Sequence, residues 1–217
     1  MRLLLNGRDF KILLIFLLSV ITISSLATET TEGLLLFNIL FSLLLFIASN
    51  CLLLDLKLFY WGLLLAFLSL LCTFAVMTNF DIKYLSIYQH LAYFIFFGLM
   101  LYHILNTLFK APQIDLNIVF GAMSGYIIIG LMGSFLMIII DDLYPNAYTY
   151  TDGNNLAHFD YLYFSFVNMT TLGLGDILPN KPPAKGLVII HTLVGQLYLS
   201  VIVGIMVGKY IVHNNLK

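Results

Sequence analysis

Long apolar runs alternate with short polar breaks along this chain, and the breaks set the number of elements. Mostly apolar residues fill approximately 12–28, 34–54, 58–78, 87–109, 118–140 and 185–212. Each run is close to the ~20 residues a helix needs to cross a hydrocarbon layer. A seventh run, 159–170, is about half that length and rich in aromatic residues. The pattern predicts an all-α membrane protein with six transmembrane helices. A shorter helix is set between the fifth and the sixth.

The polar breaks divide the chain further. Asp55-Leu56-Lys57 is a tight turn, and Tyr60 and Trp61 follow it as interfacial aromatics do. Lys110-Ala111-Pro112-Gln113 is the strongest boundary, because Pro112 ends a helix at or before Ala111. It separates a four-helix peripheral transmembrane domain, 1–110, from a second unit, 111–217. Asp141-Asp142 closes the fifth run, and Leu143–Ala157, with Tyr144, Tyr148 and Tyr150, is expected to be an exposed turret. Met1–Ala27 also fits a secretory signal ending at Ser24-Ser25-Leu26-Ala27, though its apolar run is long for one. A cleaved chain would leave the next span in the same orientation.

Composition agrees with the pattern. The 217 residues are 61% hydrophobic and 10% charged, against about 25% charged in soluble domains. Most of the chain is expected in lipid, with no soluble ligand-binding domain at either end. With a cytoplasmic N-terminus, Arg2, Arg8, Lys11, Lys57, Lys110, Lys209 and Lys217 lie inside. Only Lys83, Lys181 and Lys185 lie outside. The positive-inside rule favours that arrangement, with both termini cytoplasmic and the protein in the plasma (inner) membrane. Glu29, Glu32, Asp81, Asp141, Asp142, Asp152, Asp160 and Asp176 then make the outer face attractive to cations. Net charge is −1, and no nucleic-acid partner is expected. Cys51 and Cys72 fall near opposite ends of neighbouring spans, which argues for packing rather than a disulfide.

The stretch with chemistry is Thr170-Thr171-Leu172-Gly173-Leu174-Gly175-Asp176, between the short aromatic run and the last span. It resembles the pore signature of the tetrameric potassium-channel superfamily, small prokaryotic six-helix type, with leucine at the valine and tyrosine positions. The resemblance to the two-helix pore module covers about half the chain. It implies an outer helix at 118–140, a turret at 141–157, a re-entrant pore helix at 159–170, a selectivity filter at 171–176 and an inner helix at 185–212. A dehydrated K+ ion needs oxygens on all sides. The carbonyls of Thr171, Leu172, Gly173 and Leu174, with the Thr171 hydroxyl, would replace its water shell in four copies. Gly173 and Gly175 suit the left-handed angles such a backbone visits. Asp176 would stand at the outer mouth.

Tyr163 and Phe164 occupy the positions of two aromatic residues that pack around the filter in relatives. Leu174 cannot make the hydrogen bond of a filter tyrosine. Val167 stands where some relatives carry a glutamate that bonds the filter aspartate. With Thr170, these residues are expected to support the loop mainly by apolar packing.

The remaining polar and small residues carry weaker signals. The fourth run has no basic residue before Lys110, so membrane voltage has little charge to pull on. His90, His103, Asn38 and Asn50 are expected as interhelical contacts, and His191 as packing behind the filter. Gly121-x-x-x-Gly125, Gly130 and Gly133 let helices approach closely. Gly195, nineteen residues after Asp176, is either the hinge of a gate or a packing glycine. Gly204 and Gly208 are expected to pack. Asn168-Met169-Thr170 matches the glycosylation pattern but lies inside the short helix.

One signature and no internal repeat of it imply a homotetramer. The expected activity is passive K+ conduction, not steeply voltage-gated, with K+ as permeant ion, lipid as surroundings and no cofactor. A less selective monovalent cation channel of the same fold is the nearest alternative, and a structural subunit with a dead pore is left open. A polytopic transporter or enzyme is more distant: no acid lies at mid-span, and neither repeated halves nor broken paired helices are evident.

Overall fold

The computed structural model of the protein describes residues 10–25, 31–49, 56–77, 85–153 and 156–215. Side chains are described for all of these except 31–36, 57–58, 76–77, 210 and 212–215. Arg2, Arg8, Glu29, Asp81, Lys83, Asn50, Cys51, Lys217, the side chains of Glu32 and Lys57, and the Leu26-Ala27 end of the signal-like segment fall outside this range.

Among the described residues, seven helices follow the apolar pattern, with two short strands beside the sixth. They are α1 Phe10–Ser24, α2 Thr31–Ser49, α3 Leu56–Met77, α4 Leu85–Lys110, α5 Leu116–Leu143, β1 Tyr148–Tyr150, α6 His158–Met169, β2 Ile177–Pro179 and α7 Pro182–Asn215. Among the described residues, α4, α5 and α7 are long and apolar enough to cross a membrane, and α1 to α3 contribute shorter apolar stretches.

Local chemistry fixes the ends. Asp115 caps α5, its carboxylate accepting from Ile118 N at 2.8 Å. The Asp160 carboxylate accepts from Ala157 N at 2.7 Å, placing an anion in the first turn of α6 where the helix dipole favours it. α4 ends at Lys110, two residues before Pro112. Its last carbonyls are capped from a distance. Lys209 Nζ, on α7, donates to Leu108 O, Phe109 O and Ala111 O at 2.9, 2.9 and 2.6 Å. A cation at a helix C-terminus is electrostatically favoured.

α5 is the hub, and glycine is the reason. A methyl group on Gly121 would strike Phe10 of α1, and on Gly125, Tyr198 of α7. On Gly130 it would strike Phe166 of α6, and on Gly133, His191 of α7 and Ser165 of α6. The spacing expected to admit close helix approach therefore serves three different helices. The largest buried cluster joins Phe10, Leu17, Phe41, Tyr93 and Phe97 to Ile128, Phe135 and Leu162. It crosses the break at Pro112, so the first four helices share one core with α5 and α6 of the same chain.

Some expectations need correction. The Leu143–Ala157 segment is not wholly exposed: Ala147 and Tyr148 are buried, and β1 pairs antiparallel with β2 in the register Tyr148↔Pro179, Thr149↔Leu178, Tyr150↔Ile177. Tyr148 is drawn in by the rings of Tyr161 and Phe164, at 6.0 and 5.7 Å. Asn38 contributes its backbone carbonyl, which accepts from the Tyr93 hydroxyl at 3.1 Å, while its buried Oδ1 has no partner among the described residues. Gly204 and Gly208 do not pack within the chain; nothing lies within 4 Å of a methyl group built there. Cys72 is buried, as a packing residue would be. Tyr60 and Trp61 project outward from the start of α3.

Candidate functional site

α6 stops because its last carbonyls are taken by side chains and by the turn that follows. Thr170 Oγ1 donates to Phe166 O at 2.7 Å, and Asn168 Nδ2 to Phe164 O at 2.7 Å. The chain then reverses. Thr171 N donates to Asn168 O at 2.9 Å, and Leu172 N and Gly173 N both donate to Val167 O at 3.0 and 3.3 Å. Val167 thus ties the loop through its carbonyl.

Every second residue of the loop has positive φ: Thr171 at 59°, Gly173 at 56° and Gly175 at 77°. Alternation of hand along a chain lets successive carbonyls face one side. The glycines adopt these angles without penalty. Thr171 does not, and a non-glycine residue held there is strained by ~1–3 kcal/mol. The sequence pattern pointed to Gly173 and Gly175 but gave no sign of Thr171. Among the described residues, no hydrogen bond ends on the carbonyls of Thr171, Leu172, Gly173, Leu174 or Gly175. The Thr171 hydroxyl donates to Thr170 O at 2.6 Å. Its proton is thereby occupied, and no hydrogen bond among the described residues ends on its oxygen. The arrangement is a row of oxygens with no hydrogen-bond partner among the described residues, and hard cations take oxygen ligands of this kind.

The loop stands open. Leu172 and Leu174 are 62% and 59% exposed, and Thr170 to Gly175 are exposed throughout. Within the chain, polar ties support the loop's outer end. The Tyr163 hydroxyl donates to Asp176 Oδ2 at 2.6 Å, and Asp176 Oδ1 accepts from Ile177 N at 3.1 Å. The Asp176 carboxylate, then burial, hold the Tyr163 phenol above its ordinary value, which keeps it the donor. Phe164 is buried on the other side, against Tyr148.

Below the loop, α7 meets the end of α6 at Gly195 and Gln196. Gly195 is buried where a methyl group would strike Met169, and Gln196 Nε2 donates to Met169 O at 3.2 Å. α7 runs through Gly195 without a break. Behind α6, Ser165 Oγ donates to Gly130 O at 2.6 Å and lies 2.9 Å from His191 Nε2. The hydroxyl has one proton, so His191 Nε2–H is the donor to it. This is the packing expected of His191. His90 is only half satisfied: Nδ1 meets Ser86 O at 2.8 Å, while Nε2 is buried without a partner among the described residues.

Residues 123–211 match a family model described as an ion channel. In this part the chain is similar to ion channels. No curated protein and no solved structure matches the chain. The ion-channel domain contains α6, the Thr170–Asp176 loop and most of α5 and α7. With its apolar helices, it makes the protein an integral membrane protein.

Besides the Thr171 angle, the Gln196 bond and the strand pairing escaped the sequence reading. Gln196 as a donor to the end of α6 left no pattern. The β1–β2 pairing left a weak one, since Tyr148-Thr149-Tyr150 is β-prone and Asp152-Gly153 is a turn pair.

Proposed function

We propose that the protein is a potassium-selective channel in which four copies conduct K+ passively through a central pore. Six spans surround the loop: α1 to α5 and α7 cross the membrane, and α6 is the re-entrant pore helix. Thr171 to Asp176 form the filter, with both termini in the cytoplasm. The observation that carries this reading is the alternating hand at Thr171, Gly173 and Gly175. It leaves a run of carbonyls with no hydrogen bond among the described residues. One chain offers a single wall of such a site. The exposure of Leu172, Leu174 and most of α7 fits walls supplied by further copies.

The test is a reversal-potential measurement on purified protein in a lipid bilayer, with K+ on one side and Na+ on the other. The expected potential lies near the K+ equilibrium value. Opening should depend weakly on voltage, since α4 carries no basic residue before Lys110. The full lever would be ~2.3 kcal/mol per charge per 100 mV. A reversal potential near zero would favour the second reading, a less selective cation channel. That reading rests on Leu174, which offers no donor to tie its part of the filter.

A further inference from the structure

On the reading that residues 171–176 are the filter, we propose that Asp141 is a positioning residue. It clamps the turret strand onto the pore helix and so holds the outer end of the filter. Asp141 lies two residues before the end of α5. A helix C-terminus disfavours an anion, so the carboxylate needs another reason to be there. Its acceptors supply one. Oδ1 accepts from Ala147 N at 2.7 Å and Tyr148 N at 3.2 Å, and Oδ2 accepts from the Tyr161 hydroxyl of α6 at 2.7 Å.

These bonds fix the first residue of β1, and β1 carries the constraint to the filter. Tyr150 pairs with Ile177, and Thr151 N donates to Asp176 O at 2.9 Å. Asn180 closes the far end, donating to Ala147 O at 2.8 Å and to Thr149 Oγ1 at 2.8 Å. The backbone of Asp176 is gripped from the turret, and its side chain from Tyr163. Bonds to a carboxylate are stronger than neutral ones. The clamp therefore supplies the outer filter with the restraint that Leu174 cannot give. Tyr148 adds a wedge whose buried hydroxyl has no partner among the described residues. Its ring, not its oxygen, does the work.

The test uses the full chain in lipid nanodiscs and bilayers, with two readouts. The first is hydrogen exchange at the Thr151 amide, which reports on the clamp whichever ion passes. The second is the rate at which current is lost in low external K+. Tyr161→Phe removes one bond to Asp141 and leaves the fold's apolar surface intact. It should speed both several-fold. Asp141→Ala should speed them by about tenfold or more, the factor that ~1.4 kcal/mol represents, and high external K+ should slow the loss of current again. Tyr148→Phe should leave both unchanged. If Asp141→Ala fails to assemble, Tyr161→Phe and Asp141→Asn decide. Tyr161→Phe with wild-type exchange at Thr151 and wild-type current in low K+ overturns the clamp. Wild-type protein that passes no K+, with exchange at Thr151 still raised in the variants, overturns the filter reading and leaves the clamp standing.

Discussion

α5 and α7 are both long, apolar and glycine-bearing, yet they use glycine in opposite ways. In its most apolar stretch α5 is 61% buried, and α7 is 22% buried. Each glycine of α5 is a notch filled by a side chain of the same chain, from α1, α6 or α7. On α7 only Gly195 is filled, by Met169; Gly186, Gly204 and Gly208 face open space. α5 is finished when one chain folds. α7 is not, and its exposed Leu193, Leu197, Val201 and Val203 look for lipid or for further copies of the chain. The proposed tetramer would complete α7 and the loop above it in one step.

The largest effect is expected in the loop between the two helices. Gly173 has a φ of 56° and nothing within 4 Å of a methyl group built on it. Space is available, so only backbone strain opposes a side chain. Gly173→Ala should fold and assemble like wild type and lose selective K+ current. Normal K+ current through Gly173→Ala, measured by reversal potential, would mean that the loop is not the filter.

Next comes a notch of α5. A methyl group on Gly133 meets His191, near its bond to Ser165. Gly133→Ala should therefore cost about 1–3 kcal/mol, the usual range for overpacking. It should do so in the single chain as well as in any assembly. Thermal unfolding in detergent checks it. A variant as stable as wild type would show that α7 moves away from α5 freely, and the contrast between the helices would weaken.

Much of this contrast was legible in part. The apolar runs located the long helices within a few residues, because a membrane allows little besides helices. Thr170 to Asp176 stood out because closely spaced glycines after a short helix have a backbone meaning. The glycines themselves were ambiguous. Gly121 and Gly204 sit in similar apolar surroundings in the sequence, and only tertiary packing separates a filled notch from an empty one. The supports of the loop were hidden for another reason. Tyr163 reaches Asp176 across thirteen residues, and β1 reaches β2 across a whole helix. Neither partnership leaves a periodic trace. Asp141 looked like a solvated acid at a membrane surface, which is how acids at span ends ordinarily read.

The smallest effect sharpens the contrast most. Glycine inside a helix is less favourable than alanine by roughly 0.5–1 kcal/mol. At Gly204 no atom of the same chain opposes the added methyl group. If this face of α7 meets only lipid or water, Gly204→Ala should raise the stability of the protein by about that amount and leave the current unchanged. The expected outcome is a small upward shift in the unfolding temperature, with the same share of assembled protein on native gels. A fall in the assembled share, with the single chain no less stable, would mean that a neighbouring copy fills the notch. Both helices would then use glycine in the same way, α5 toward its own chain and α7 toward another. The difference between them would lie in the partner and not in the residue.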